Sequence, residues 1–129
     1  MALNSKIKYF YSGSFNPDKL NPDNIDRLST ALVPRRSKVL ELGCATGFMS
    51  KYFQRRLNCQ VVGVDINPAA KPAIVGDLNL KSTWEKIKPK GQFDVVFASA
   101  VIEHLIDPEA TLQLIKLVLK PKGRLIITT

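Results

Sequence analysis

The chain has 129 residues, 45% of them apolar, with a net charge of +8, two cysteines and one histidine. That length suits one globular domain with a real core and leaves no room for a second. The first twelve residues mix Lys6 and Lys8 with aromatics and read as neither signal peptide nor membrane span, and Cys44, Cys59 and His104 are too far apart to suggest a metal site, so a cytoplasmic protein with free thiols, no metal and no membrane partner is expected.

Tyr9, Phe10, Tyr11 and Phe15 precede turn chemistry at Asn16-Pro17-Asp18 and Asn21-Pro22-Asp23. Ile25, Leu28, Ala31 and Leu32 then recur at helical spacing before Pro34, which predicts a short helix over about 23–33. Residues 1–34 read as an N-terminal segment ahead of a main domain at 35–129. Its aromatics form either a lid over a ligand or a cover for the sheet.

Val39-Leu40-Glu41-Leu42 reads as a strand buried on both faces. The small residues Gly43, Ala45 and Gly47 then demand a turn tight enough for a ligand to touch the backbone, with a helix starting at about Gly47. Their even spacing departs from the dinucleotide fingerprint G-x-G-x-x-G. Glu41-x-Gly43-x-Ala45-x-Gly47 after a buried strand resembles motif I of the class I S-adenosylmethionine-dependent methyltransferases, where glycine is more frequent at the place of Ala45.

Gln60 to Asp65 predicts a second strand ending in an acid, close to the ~20 residues at which a ribose-binding carboxylate follows a glycine loop. The competing role for Asp65 is a cap, because Asn67-Pro68 opens a short helix just after it. Ala73 to Leu78 predicts a shorter third strand. There the resemblance implies that Asp77 accepts from the adenine amino group and Leu78 packs on the base; the other reading of Asp77 is a turn residue capping a helix near 82–87. Phe93 to Ala98 predicts a fourth strand, and the following Ile102-Glu103-His104-Leu105 resembles the small-molecule branch of the family. Pro108 opens a helix with an apolar stripe at Leu112, Ile115, Val118 and Leu119. Lys120-Pro121-Lys122-Gly123 ends that helix, and Arg124 to Thr129 predicts a fifth strand.

This alternation predicts an α/β, doubly wound, Rossmann-like parallel sheet of order 3-2-1-4-5, with the pocket where strands 1 and 4 diverge. The resemblance implies S-adenosylmethionine as cofactor and methyl transfer to a small-molecule acceptor. On it, Gly43, Cys44, Ala45 and Gly47 contact the cofactor through backbone and Glu41 lies near its amino acid portion. Asp65 holds the ribose with Ile66 beside it, Asp77 and Leu78 hold the adenine, and Ala98 and Ser99 line the methionine end. His104 is the candidate general base by residue type, or else a packing and hydrogen-bonding element.

The family usually continues into strands 6 and 7, which this sequence does not supply. The expectation is an open strand-5 edge, prone to self-association or to completion by a partner segment. The alternative function is a non-catalytic S-adenosylmethionine-binding or interaction module, or a fragment of a larger methyltransferase. Arg35, Arg36 and Lys38, then Arg55 and Arg56, Lys86, Lys88 and Lys90, and Lys120, Lys122 and Arg124 gather at the amino ends of the predicted strands. That rim lies opposite the pocket and favours cations at helix ends and solvated turns over a nucleic-acid surface, so a nucleic-acid methyltransferase is the weakest reading.

Overall fold

The computed structural model describes residues 15–129, and Tyr9, Phe10 and Tyr11 of the expected lid lie outside the described residues. Five parallel strands form one sheet in the order β3-β2-β1-β4-β5, as the alternation of strand and helix signals requires. They are β1 (Lys38–Leu42), β2 (Gln60–Asp65), β3 (Ile74–Val75), β4 (Phe93–Ser99) and β5 (Leu119–Thr128). The central β1 is in register with both neighbours, Leu42 lying beside Val64 of β2 and Ala98 of β4. Their carboxyl ends therefore open on one level.

The period-two alternation of β1, β2 and β4 sends side chains to two separate cores. Leu40, Leu42, Val64 and Val96 pack under α3 (Lys81–Ile87) and α4 (Pro108–Val118), meeting Trp84, Ile87, Ile115 and Val118. On the other face Val39, Val95 and Phe97 pack under α2 (Phe48–Leu57), where Phe53 meets Phe97 edge-on at 5.2 Å. Burial of each large side chain contributes about 1.5–3 kcal/mol, so these layers hold the strand ends in place. Phe15 joins the second core by packing on Phe48 and Tyr52 of α2, which is the covering role for that aromatic.

Helix ends follow local chemistry. Asn58, in the left-handed region, ends α2 by donating its amide to the Phe53 carbonyl. Asp107 caps α4 by accepting from the Ala110 amide, with Pro108 in the first turn.

Three sequence expectations need correction. The N-terminal helix α1 is shorter than 23–33, running over Ile25–Thr30 under an Asn24 cap, and its apolar stripe faces outward: Ile25 is 56% exposed, Leu28 54% and Leu32 54%. Ser29 and Thr30 are buried instead, because their hydroxyls donate to the Asp26 carbonyl of their own helix and so carry no unpaired polar group inward. Leu119 does not belong to the α4 stripe but starts β5 opposite Phe93. The ladder then skips to Arg124 opposite Val95, so residues 120–123 bulge out of register. The third strand covers only Ile74 and Val75, leaving Gly76, Asp77 and Leu78 in the loop beyond it.

Candidate active site

The loop between β1 and α2 is built from alternating left-handed residues: Gly43 at φ 69°, Ala45 at φ 50° and Gly47 at φ 80°. Glycine takes this region freely, whereas alanine pays steric cost there, so the motif position at which the family more often has glycine is a strained one here. The turn is held from β2. The amides of Gly43 and Cys44 both donate to the Val64 carbonyl, at 2.8 and 3.1 Å, and the Ala45 amide donates to Asp65 Oδ2 at 2.8 Å. A Cβ built on Gly47 would meet nothing within 4 Å, so the loop borders open space at the start of α2. No side chain caps α2. The positive end of its dipole lies at Gly47 and favours an anionic group there.

Asp65 does more than hold the loop. Its Oδ1 accepts from the Asn67 amide at 2.9 Å, a turn rather than the helix cap weighed from sequence, since Asn67 itself caps Pro68–Ala70, while a carboxylate with about four lone-pair sites retains capacity for a ligand. Ile66, next in the chain, is exposed. Glu41 is buried and accepts from the Ser50 hydroxyl of α2. Its carboxylate therefore ties β1 to the first turn of that helix.

Beyond β3, Asp77 Oδ1 accepts from the Asn79 amide at 2.9 Å and from its side chain at 3.0 Å. That is a turn rather than a helix cap, since the residue at the start of α3, Leu80, has no side-chain cap. Asn79 in turn accepts at Oδ1 from the Ile106 amide at 2.8 Å, pinning the β3–α3 loop to the segment ahead of α4. The Leu78 carbonyl accepts from Trp84 Nε1 at 2.9 Å, and its side chain packs partly into the core. Ala98 and Ser99 are buried at the end of β4, with Ser99 Oγ accepting from Thr128 at 3.1 Å.

His104 closes a single helical turn at Ile102–His104, past the carboxyl end of β4 and on the same side as the loop. Its Nε2 is buried with no hydrogen-bond partner among the described residues, and Glu103 Oε1 stands 3.8 Å away.

The sequence candidates thus lie towards the carboxyl end of the sheet, Glu41, Asp65, Ala98 and Ser99 within β1, β2 and β4 and the others on the connections that follow β1 to β4. Sequence reasoning missed Ser50, Asn79 and Thr46, whose hydroxyl is buried without a partner among the described residues. The Asp77-Leu78-Asn79 turn carried a local signal. The Glu41–Ser50 contact carried none, because it joins a strand to a helix.

A family model described as "Methyltransferase domain" matches residues 13–129. Among curated proteins, the chain is 29% identical over 120 residues to a ubiquinone biosynthesis O-methyltransferase of Xanthomonas axonopodis pv. citri, covering 85% of this chain and 50% of the relative. It is 36% identical over 100 residues to the protein of that name from Bradyrhizobium sp., covering 71% of this chain and 39% of the relative. The chain spans half or less of the length of these relatives. A TehB-like SAM-dependent methyltransferase from Corynebacterium glutamicum superposes with a TM-score of 0.66 at 23% identity, covering 98% of this chain and 73% of the other, which shows the shared fold.

Proposed function

The chain belongs to the methyltransferase-domain family, and from that premise we propose that it binds S-adenosylmethionine and transfers its methyl group to a small-molecule acceptor. The observation that carries this reading is the left-handed loop at 43–47 fastened to Asp65. It brings open space at Gly47, a helix start without a side-chain cap and a carboxylate to one turn. Such a cradle fits a ligand that is an amino acid at one end and a nucleoside at the other.

When bound, the cofactor supplies an electrophilic methyl on a sulfonium. The protein's part is positioning. Gly43, Cys44, Ala45 and Gly47 present backbone to it, and the positive end of the α2 dipole faces its carboxylate, with Glu41 behind for the amino acid portion. Asp65 accepts from the ribose hydroxyls, with Ile66 alongside. Asp77 accepts from the adenine amino group, Leu78 packs on the ring, and Ala98 and Ser99 border the methionine end. His104 Nε2 takes the proton of the acceptor hydroxyl. Residues 1–34 cap the cofactor domain at 35–129, a role supported by the packing of Phe15 on the first turns of α2.

Two similar proteins are named O-methyltransferases, so oxygen acceptors head the panel to be tried. No helix among the described residues is long and apolar enough to cross a membrane. Cys44 and Cys59 are unbridged and buried, which supports the reducing cytoplasm as the compartment. The test is calorimetric titration with S-adenosylmethionine and S-adenosylhomocysteine, followed by transfer of labelled methyl to small hydroxylated acceptors. Saturable binding of both with label transfer is expected. Tighter binding of a nicotinamide cofactor than of either would overturn the reading.

A further inference from the structure

Asn79 and Ile106 lie 27 residues apart in sequence, and the Asn79 side chain joins the two loops to which they belong. Its Nδ2 donates to Asp77 Oδ1 at 3.0 Å, its backbone amide donates to the same oxygen at 2.9 Å, and its Oδ1 accepts from the Ile106 amide at 2.8 Å. These partners fix which way the side-chain amide points. A carboxylate must face its nitrogen, and a backbone N–H must face its oxygen.

We propose that Asn79 is a positioning residue that couples the adenine-binding turn to the loop carrying His104, an inference that rests on the cofactor reading above. Both Asn79 donors converge on Oδ1 of Asp77, so Oδ2 is the oxygen that remains for the adenine amino group. Ile106 stands two residues past His104, and its side chain is 86% exposed, so packing does not hold it. The bond to Asn79 holds its backbone instead. Within the His104 turn the amides donate locally, His104 to the Val101 carbonyl at 3.0 Å and Leu105 to the Ile102 carbonyl at 3.2 Å. A ligand that engages Asp77 Oδ2 therefore restrains Asn79 and, through it, the segment on which His104 sits.

The turn keeps its backbone without this side chain. The Thr83 hydroxyl donates to the Asp77 carbonyl at 2.6 Å and Trp84 Nε1 donates to the Leu78 carbonyl at 2.9 Å, so α3 anchors the turn independently. Asn79 is exposed, and its substitution leaves no buried gap. Asn79→Ala removes both side-chain links. Asn79→Asp keeps an oxygen for the Ile106 amide but sets a second carboxylate against Asp77 in place of the donor.

The experiment is NMR titration of the whole chain with S-adenosylhomocysteine, reading the Ile106 amide and the ring Cε1–H of His104, the one histidine in the sequence. In the wild type both signals are expected to move with the ligand to saturation. Asn79→Ala should keep its thermal transition, bind about fivefold more weakly, the scale of one hydrogen bond, and lose the ligand-induced movement at both positions even when saturated. Asn79→Asp should also bind more weakly, yet leave the Ile106 amide of the free protein near its wild-type position. Ligand-induced movement of the His104 signal in saturated Asn79→Ala equal to that in the wild type would mark Asn79 as structural only and overturn the inference, as would saturable binding by the wild type that moves neither signal. No saturable binding by the wild type would overturn the cofactor reading, and this inference with it.

Discussion

The carboxylate of Asp65 accepts a 2.8 Å hydrogen bond from the amide of Ala45, fastening the end of β2 to the left-handed residue at the middle of the β1–α2 loop. One side chain thereby sets the loop and retains capacity for a ligand. Loss of that carboxylate acts twice. Asp65→Ala is expected to weaken S-adenosylhomocysteine binding by about tenfold or more, the scale of one lost charge-assisted contact, and to lower thermal stability by releasing the loop. Calorimetry with unchanged affinity would remove Asp65 from the site.

Ala45 and Gly47 share the left-handed conformation but differ in what they pay for it. Ala45→Gly relieves a cost of about 1 kcal/mol and should raise the melting temperature by a few degrees. Gly47→Val introduces that cost with a β-branched side chain, lowering stability by about 1–2 kcal/mol. Because a Cβ at Gly47 meets no protein atom within 4 Å, the variant should stay folded while its side chain fills the ligand's space. Native-like circular dichroism with intact cofactor affinity would show the loop to be only a turn.

A Cβ at Gly76 would lie 2.5 Å from the Oγ1 of buried Thr83, which donates to the Asp77 carbonyl at 2.6 Å. Gly76→Ala must therefore displace Thr83 and should cost about 1–3 kcal/mol. In a double-mutant cycle by denaturant melts, Gly76→Ala with Thr83→Ala should cost less than the two single changes summed. Strict additivity would show that the two positions do not meet.

Asp94 receives the Lys38 backbone amide at 2.8 Å, and Lys120 Nζ at 3.1 Å, and these hold its carboxyl below the ordinary range. A depressed folded pKa gives stability that is present above the unfolded value and lost as pH falls through the folded one. Unfolding scans should accordingly show an acid loss below about pH 4 that is shallower in Asp94→Asn. Burial raises the Cys59 thiol, with the opposite sign: its contribution is complete below the ordinary thiol range and fades as pH climbs above it. An acid limb identical in wild type and Asp94→Asn would refute the assignment to Asp94.

Among the described residues no strand pairs with the outer edge of β5, and exposed Ile127 lies on that strand. The outward Ile25 and Leu28 belong to α1, which packs against β5, and exposed Leu32 just after it accepts from Arg124 Nη1 at its carbonyl. An apolar edge beside an apolar stripe favours association. Light scattering across a concentration series should show growth in mass that Ile127→Lys suppresses. A monomer at high concentration that turns over an acceptor at ordinary enzyme rates would show that the edge needs no cover.

The strand order and the site's location were legible because they depend on signals confined to short segments. Val39 to Leu42 and Phe93 to Ala98 are apolar runs that fit only a strand covered on both faces, and a glycine-marked turn between such a strand and a helix puts a ligand at the carboxyl end of the sheet. Pro108, which opens α4, is likewise local. What tertiary structure alone decided are the relations across the chain: Ala45 with Asp65, Glu41 with Ser50, Asn79 with Ile106, and Gly76 with Thr83. It also decided that Ser29 and Thr30 face inward while Leu28 faces out, and that Leu119 pairs with Phe93. Periodicity belongs to one segment read by itself. Parallel register belongs to segments brought together, and it determines which donor reaches which acceptor.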